Sequence, residues 1–259
     1  MIDTLPNGLA TSHKMKTTAA PKFIRVKARH VKLLLLAAAM FFTIASCIDA
    51  PQYAYEGGAI YLQHLGTLVL LVLLMLDVGY QKMAMAAYVC LFLFACIHIL
   101  GARYLYSNVP YDQWANSFLN IKIDIAGDWT IKAEGTGVMH GNKFNRLVHL
   151  SFGLLLFPVV LQMVKHKLGS GNLLLSILLS WLVIQTFSML YEIFEWMLSI
   201  ALSPEHAESY NGQQGDMWDA QKDMALALLG SSISAIWAFF SHRQMTMVSN
   251  TESLRGPEG

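Results

Sequence analysis

Charge is what this sequence has least of. Asp, Glu, Lys and Arg together make up 14% of its 259 residues, while 55% are apolar. A soluble domain carries about a quarter charged residues because water must wet its surface. The exterior of this chain therefore has to meet another solvent, and a lipid bilayer is the default. The near balance of charge, +1 at neutral pH, gives no electrostatic footprint for nucleic acid. Cysteine is almost missing too. Cys47, Cys90 and Cys96 are too few for a disulfide framework, and all three lie in apolar runs, where a thiol behaves as a small hydrophobe. The short signatures of familiar chemistry are also absent: there is no G-x-S-x-G, no H-E-x-x-H, no phosphate-binding glycine loop and no C-x-x-C. Any chemistry must come from side chains that the fold brings together.

What is present is a series of long apolar runs. A crossing helix needs about 20 largely apolar residues at about 1.5 Å rise each. Six stretches meet this, 31–48, 59–76, 83–102, 147–164, 173–202 and 222–240, which predicts an all-α, polytopic membrane bundle over 31–240. Lys14, Lys16, Lys22, Arg25, Lys27, Arg29 and Lys32 precede the first helix. Placing them inside also puts Lys82, Lys165, Lys167, Arg243 and Arg255 inside, which is 12 of the 18 basic residues. The expected topology is N-in, C-in. Residues 1–30 and 241–259 read as disordered cytoplasmic tails, the first of them basic. Ile44-Ala45-Ser46-Cys47 resembles a lipoprotein processing site, but the preceding arm is much longer than a signal n-region, so the first helix is expected to stay. In the external loop 103–146, Ile121, Ile123 and Ile125 alternate with Lys122, Asp124 and Ala126 ahead of Gly127-Asp128 and then Trp129, Ile131 and Ala133. That pattern predicts a small two-stranded hairpin.

Ionisable side chains inside crossing segments cost a few kcal/mol or more, so they face partners or a wet cavity. Here they share one depth. His98 comes late in the third helix, which runs outward. Asn145, Arg146 and His149 open the fourth, Glu192 and Glu195 come late in the fifth, and Asp216, Asp219 and Asp223 precede or open the sixth. From Leu173 to Glu192 a helix climbs about 28 Å, nearly the hydrocarbon thickness. All of these groups are thus expected in the outer third of the membrane. Arg146/His149 and Glu192/Glu195 are spaced i,i+3 and Asp219/Asp223 i,i+4, so each pair shares a helical face. Two imidazoles and four carboxylates could hold a divalent metal, act as acid and base, or bind a cationic headgroup.

Plainer roles compete with these. A single intramembrane His or carboxylate is commonly half of an interhelical pair, and Arg146 beside acids makes a ready salt bridge. Trp196 and Trp218 suit interfacial anchoring, and Asp219 and Asp223 suit an N-cap and a first-turn acid. His64, Asp77 and His166 read as ordinary: His64 has no evident partner, while Asp77 and His166 begin cytoplasmic loops. Gln185 and Thr186 read as interhelical hydrogen-bonding residues.

His98-Ile99-Leu100-Gly101-Ala102 with Tyr104 and Tyr106-Ser107-Asn108-Val109-Pro110 resembles the YjdF-like family of bacterial inner-membrane proteins. So do Arg146-Leu147-Val148-His149 with Phe152-Gly153, Tyr191-Glu192-Ile193-Phe194-Glu195-Trp196, and the stretch from Gln214 to Met224. The order of these motifs is more distantly similar to VanZ-type proteins. The resemblance covers about residues 33–240 and implies a helical inner-membrane fold, but no reaction. Two departures stand out. Asn145 occupies a position where the family typically has Asp, so a charged ligand or proton carrier is in doubt there. The loop ahead of it is also longer than usual.

The leading expectation is an outward-facing intramembrane site, possible as a metal-dependent enzyme on a lipid or envelope substrate. His149, Glu192, Asp219 and Asp223 are the candidate ligands of a divalent metal. Glu192, Asp219 and Asp223 are the candidate catalytic carboxylates, one acting as general base toward water. Arg146, His98, Tyr104, Glu195 and Trp218 are candidate substrate contacts, with Arg146 suited to a phosphate or carboxylate. The alternatives are a lipid or solute binder, a transporter for which Pro158 would supply a helix break, and a structural cluster.

Overall fold

The computed structural model describes residues 22–48, 50–55, 58–119, 130–131, 139–140, 143–169, 172–201 and 216–255. Its helices are α1 (Lys22–Cys47), α2 (Gln52–Tyr55), α3 (Ala59–Tyr80), α4 (Met85–Arg103), α5 (Tyr111–Leu119), α6 (Phe144–Leu168), α7 (Leu173–Ala201) and α8 (Asp219–Arg255). Among the described residues, α1, α3, α4, α6, α7 and the Asp219–Gln244 part of α8 are long and apolar enough to cross a membrane. The six expected crossings are therefore found. The burial pattern also suits lipid. Leu68, Val69, Phe187 and Trp237 are exposed, while Gln63, Thr67, Ser180 and Asp223 are buried. Polar groups turn inward because hydrocarbon cannot satisfy them.

The bundle has two halves. α1, α3 and α4 pack together, as do α6, α7 and α8, and the two sets join through α4 against α6. Leu74, Tyr88, Leu91, Phe94 and Phe144 fill the first half and its junction, and Phe157, Leu161, Ile177 and Ile184 fill the second. Because the helices alternate in direction, Cys47, Ala59, Arg103, Phe144, Ala201 and Asp219 lie toward one end of the bundle. The turns at 80–85 and 168–173 share the other.

Several expectations need correction. α1 opens at Lys22, inside the stretch read as tail, and α8 runs on to Arg255 through the second one. A helix started by its apolar core propagates into polar sequence until a breaker ends it, and here Gly256-Pro257 follows. Residues 1–21 and 256–259 lie outside the described residues. The external loop contains a helix, α5, and a short antiparallel pair in which Thr130 faces His140 and Ile131 faces Met139. The strand at Ile131 thus pairs forward with Met139–His140, whereas the expected first arm, 121–125, lies outside the described residues.

Asp77, expected to begin a loop, and Lys32, expected in the basic arm, are instead paired inside the bundle. Lys32 is 2% exposed and Asp77 4%, and they form a 2.6 Å ion pair between α1 and α3. The other Asp77 oxygen accepts the backbone N–H groups of Lys82 and Met83 at 2.9 and 2.7 Å. Lys32 also donates to the Met83 carbonyl at 2.8 Å. Gln162 of α6 closes the same turn, accepting from Ala84 N–H and donating to the Lys82 carbonyl. His64 likewise has partners, the Ser46 and Thr67 hydroxyls at 3.1 and 3.0 Å. Gln185 does bond across helices, to Ser231 at 2.8 Å, whereas exposed Thr186 bonds back to Leu182 of its own helix.

The tightest crossing is α6 on α8. A Cβ built on Gly153 would overlap the Ala227 carbonyl oxygen, and one on Gly230 would overlap that of Leu150. Only glycine lets these backbones touch. Pro158 does not break α6, which continues to Leu168. Proline lacks the N–H that would bond the carbonyl four residues back, and Ser234 of α8 supplies that bond instead, donating to the Leu154 carbonyl at 2.6 Å. The helix break that favoured transport is therefore absent.

Candidate metal centre

The crossing of α6 over α8 fixes which side chains meet. His149 lies one turn from Gly153 on α6, and Asp223 one turn from Ala227 on α8, so the glycine contact brings the imidazole to the carboxylate. α7 delivers Glu192 and, three residues on, Glu195 to the same place. His149, Glu192, Glu195 and Asp223 are 6%, 7%, 7% and 0% exposed. His149 stands between two acids, with Nδ1 3.5 Å from Glu192 Oε1 and Nε2 3.7 Å from Asp223 Oδ2. The Tyr191 ring flanks it at 5.9 Å between centroids.

One ligand atom from each of His149, Glu192 and Asp223 lies within 4.8 Å of the others. Ligands about 2.0–2.2 Å from a tetrahedral ion stand about 3.4 Å apart, so an inward adjustment of about an ångström would close the set on a cation. The hydrogen bonding fits as well. Glu192 Oε1 and Asp223 Oδ1 are buried without a hydrogen-bond partner, a costly arrangement for a carboxylate. The second Asp223 oxygen accepts the Asn145 amide at 2.9 Å. The Asn145 amide is thus a donor that orients Asp223 and adds no charge. Glu195 stands beside Glu192 in hydrogen-bonding contact. Carboxyls this close either share a proton or face a cation.

Above this buried layer lies a second, wetter one. Arg146 donates to Asp216 and Asp219 at 2.9 and 2.8 Å, and Lys222 reaches the same Asp216 oxygen at 2.6 Å. The Lys222 hydrogen bond, followed by the Trp218 backbone N–H, holds the Asp216 carboxyl below the usual carboxylate range. Asp216 therefore stays ionised at neutral pH, and its grip on the two cations loosens only as the medium becomes strongly acidic.

The expected site residues divide accordingly. His149, Glu192 and Asp223 come together with Glu195. Asp219 faces Arg146 and stands outside that three-residue group. His98 is placed elsewhere, with Nδ1 2.5 Å from the Tyr106 hydroxyl, its ring stacked near Phe94 and its edge over Gly66. Tyr104 meets Trp114 edge-on, and Trp218 is exposed, bonded through its backbone to Asp216. Sequence spacing missed the glycine pair Gly153 and Gly230, whose signal is small residues on two helices that must touch. It also missed Arg103, which donates to the carbonyls of Ala45, Ser46 and Ile48 and so caps the end of α1.

Residues 31–244 match the family described as Predicted membrane protein (DUF2238). Inner membrane protein YjdF of Escherichia coli (strain K12) is 28% identical to this chain over 160 residues, covering 61% of this chain and 67% of that protein. The expected YjdF-like kinship therefore holds, and neither finding bears on the VanZ-type likeness. No solved structure matches the chain.

Proposed function

The chain belongs to the DUF2238 family of predicted membrane proteins, and from that premise we propose a divalent-cation-dependent enzyme of the bacterial inner membrane, acting on a lipid or envelope substrate. One observation carries this reading. Three buried ligand atoms lie within 4.8 Å, and two carboxylate oxygens at the same place have no hydrogen-bond partner. A bound cation would offset the charge of these acids, whereas an interhelical lock would leave its acceptors satisfied.

The lysine and arginine distribution supports a topology with both chain ends inside, in which the cluster opens toward the outer surface. His149, Glu192 and Asp223 would hold a divalent cation, which would supply positive charge to polarise a phosphoryl or carbonyl oxygen. Asn145 fixes the rotation of Asp223, and of the two His149 nitrogens one would serve as ligand while the other would donate to a carboxylate. Glu195, beside Glu192, is placed to accept a proton from water. Arg146 and Lys222 at the rim offer a phosphate or carboxylate of the substrate the place that Asp216 holds.

Metal content tests the proposal directly. Protein purified without chelator is expected to carry near-stoichiometric divalent metal by mass spectrometry. Glu192→Gln and Asp223→Asn should bring it to background without loss of the folded state. A metal-free wild type, or variants that keep the metal, would overturn the metal-dependent reading. If the variants instead melt far below wild type, the cluster is a structural lock. Orientation is checked separately in a cysteine-free background. An impermeant maleimide added to intact spheroplasts should label Asn116→Cys and spare Lys165→Cys, and the reverse pattern would turn the site inward.

A further inference from the structure

Serines in membrane helices ordinarily satisfy their hydroxyls on a nearby carbonyl. Among the described residues, the other buried serines of α7 and α8 do so. Ser176 donates to Asn172, Ser180 to Ser176, Ser231 to Leu228 and Ser234 to Leu154. Ser188 is the exception. It is 2% exposed, and its hydroxyl is buried without a partner. It lies four residues before Glu192, on the same face of α7 and one turn deeper.

Two of the unpartnered oxygens, on Ser188 and Glu192, thus belong to one face of α7, and Glu192 meets Asp223 in the cluster. Ser188 Oγ, Glu192 Oε1 and Asp223 Oδ1 make up three of the four such atoms among the described residues. The layer one turn below the cluster is built from small residues on all three helices: Gly153 on α6, Ser188 on α7 and Ala227 on α8. A side chain able to donate an oxygen there has one role that packing does not require.

We propose that the Ser188 hydroxyl is a further oxygen donor of the metal site, supplied from beneath, so that the centre takes more than four ligands and suits a hard cation of the manganese or magnesium kind. This inference rests on the metal-site reading above. With His149, the protein donors are one nitrogen and three oxygens, and a water or substrate oxygen would take the count above four. Zinc is content with four ligands, whereas the harder ions complete larger oxygen-rich shells. Zinc is expected to bind more tightly in absolute terms, because affinity at a nitrogen and oxygen site follows the metal series. The distinguishing property is the response to losing the hydroxyl.

The test is a titration of metal-stripped protein in detergent, with Mn²⁺ followed by its solution electron paramagnetic resonance signal and Zn²⁺ by competition. Ser188→Ala should weaken Mn²⁺ binding about tenfold, the scale of losing a supporting contact at a metal site. It should change Zn²⁺ binding much less and leave the melting temperature of the metal-free protein unmoved. Ser188→Thr, which restores a hydroxyl, should recover Mn²⁺ binding. Equal losses for both ions, or no loss for Mn²⁺, would overturn the role of Ser188 while leaving the three-residue site standing. No binding of either ion by wild type would overturn the metal site itself, and this inference with it.

Discussion

Gly153→Ala is expected to be among the most damaging single substitutions in the chain, although it adds one methyl group. That methyl would overlap the backbone carbonyl of Ala227 and crowd the Ser231 N–H, and backbone cannot rotate aside as a side chain can. Overpacking a tight site typically costs about 1–3 kcal/mol, and the upper end is expected here because both neighbours are main-chain atoms. The effect should also reach the candidate centre. Separating α6 from α8 draws His149 away from Asp223 and Asn145 from the carboxylate it orients, so metal binding should fall with stability. Gly230→Ala should behave alike, since its methyl would meet the Leu150 carbonyl from the other side. Gly79→Ala is the control: nothing lies within 4 Å of its Cβ position, and alanine in a helix gains up to about 1 kcal/mol over glycine. Thermal unfolding in one detergent measures all three. Gly153→Ala melting with wild type would mean that α6 and α8 do not touch as described.

Asp77→Ala is expected to cost about as much, at the opposite end of the bundle. The substitution leaves the Lys32 ammonium, 2% exposed, without its carboxylate and strips the acceptor from two backbone N–H groups of the 81–84 turn. Removing one partner of a buried pair typically costs about 3–5 kcal/mol. Asp77→Asn, which keeps an acceptor for the turn, should lose less. The double variant Lys32→Met, Asp77→Leu should recover much of the loss by removing both charges together. Should Asp77→Ala lie within about 1 kcal/mol of wild type, the pair would be solvated and worth no more than a surface bridge. Because this brace is far from His149, its loss should lower stability without changing metal affinity in the protein that remains folded.

By itself the sequence determined the solvent, the number of crossings and the shared depth of the polar groups. These are properties of runs: composition sets which medium the exterior can meet, about 20 apolar residues set a crossing, and counting along alternating helices sets depth. That is why Arg146, His149, Glu192 and Asp223 were all legible as one-ended. What tertiary structure decided is which of those groups meet. His98 shares their depth but belongs to the other half of the bundle, where Tyr106 and Gly66 surround it. Asp219 shares a face with Asp223, yet one turns to Arg146 and the other to Asn145. Lys32 read as part of the basic arm and Asp77 as the start of a loop because the 45 residues between them hide their contact. Depth is a one-dimensional quantity that helical rise delivers residue by residue, whereas contact depends on the rotation of each helix and on how closely two backbones approach. In this protein that approach is set by Gly153 and Gly230, two residues with no side chain to announce it.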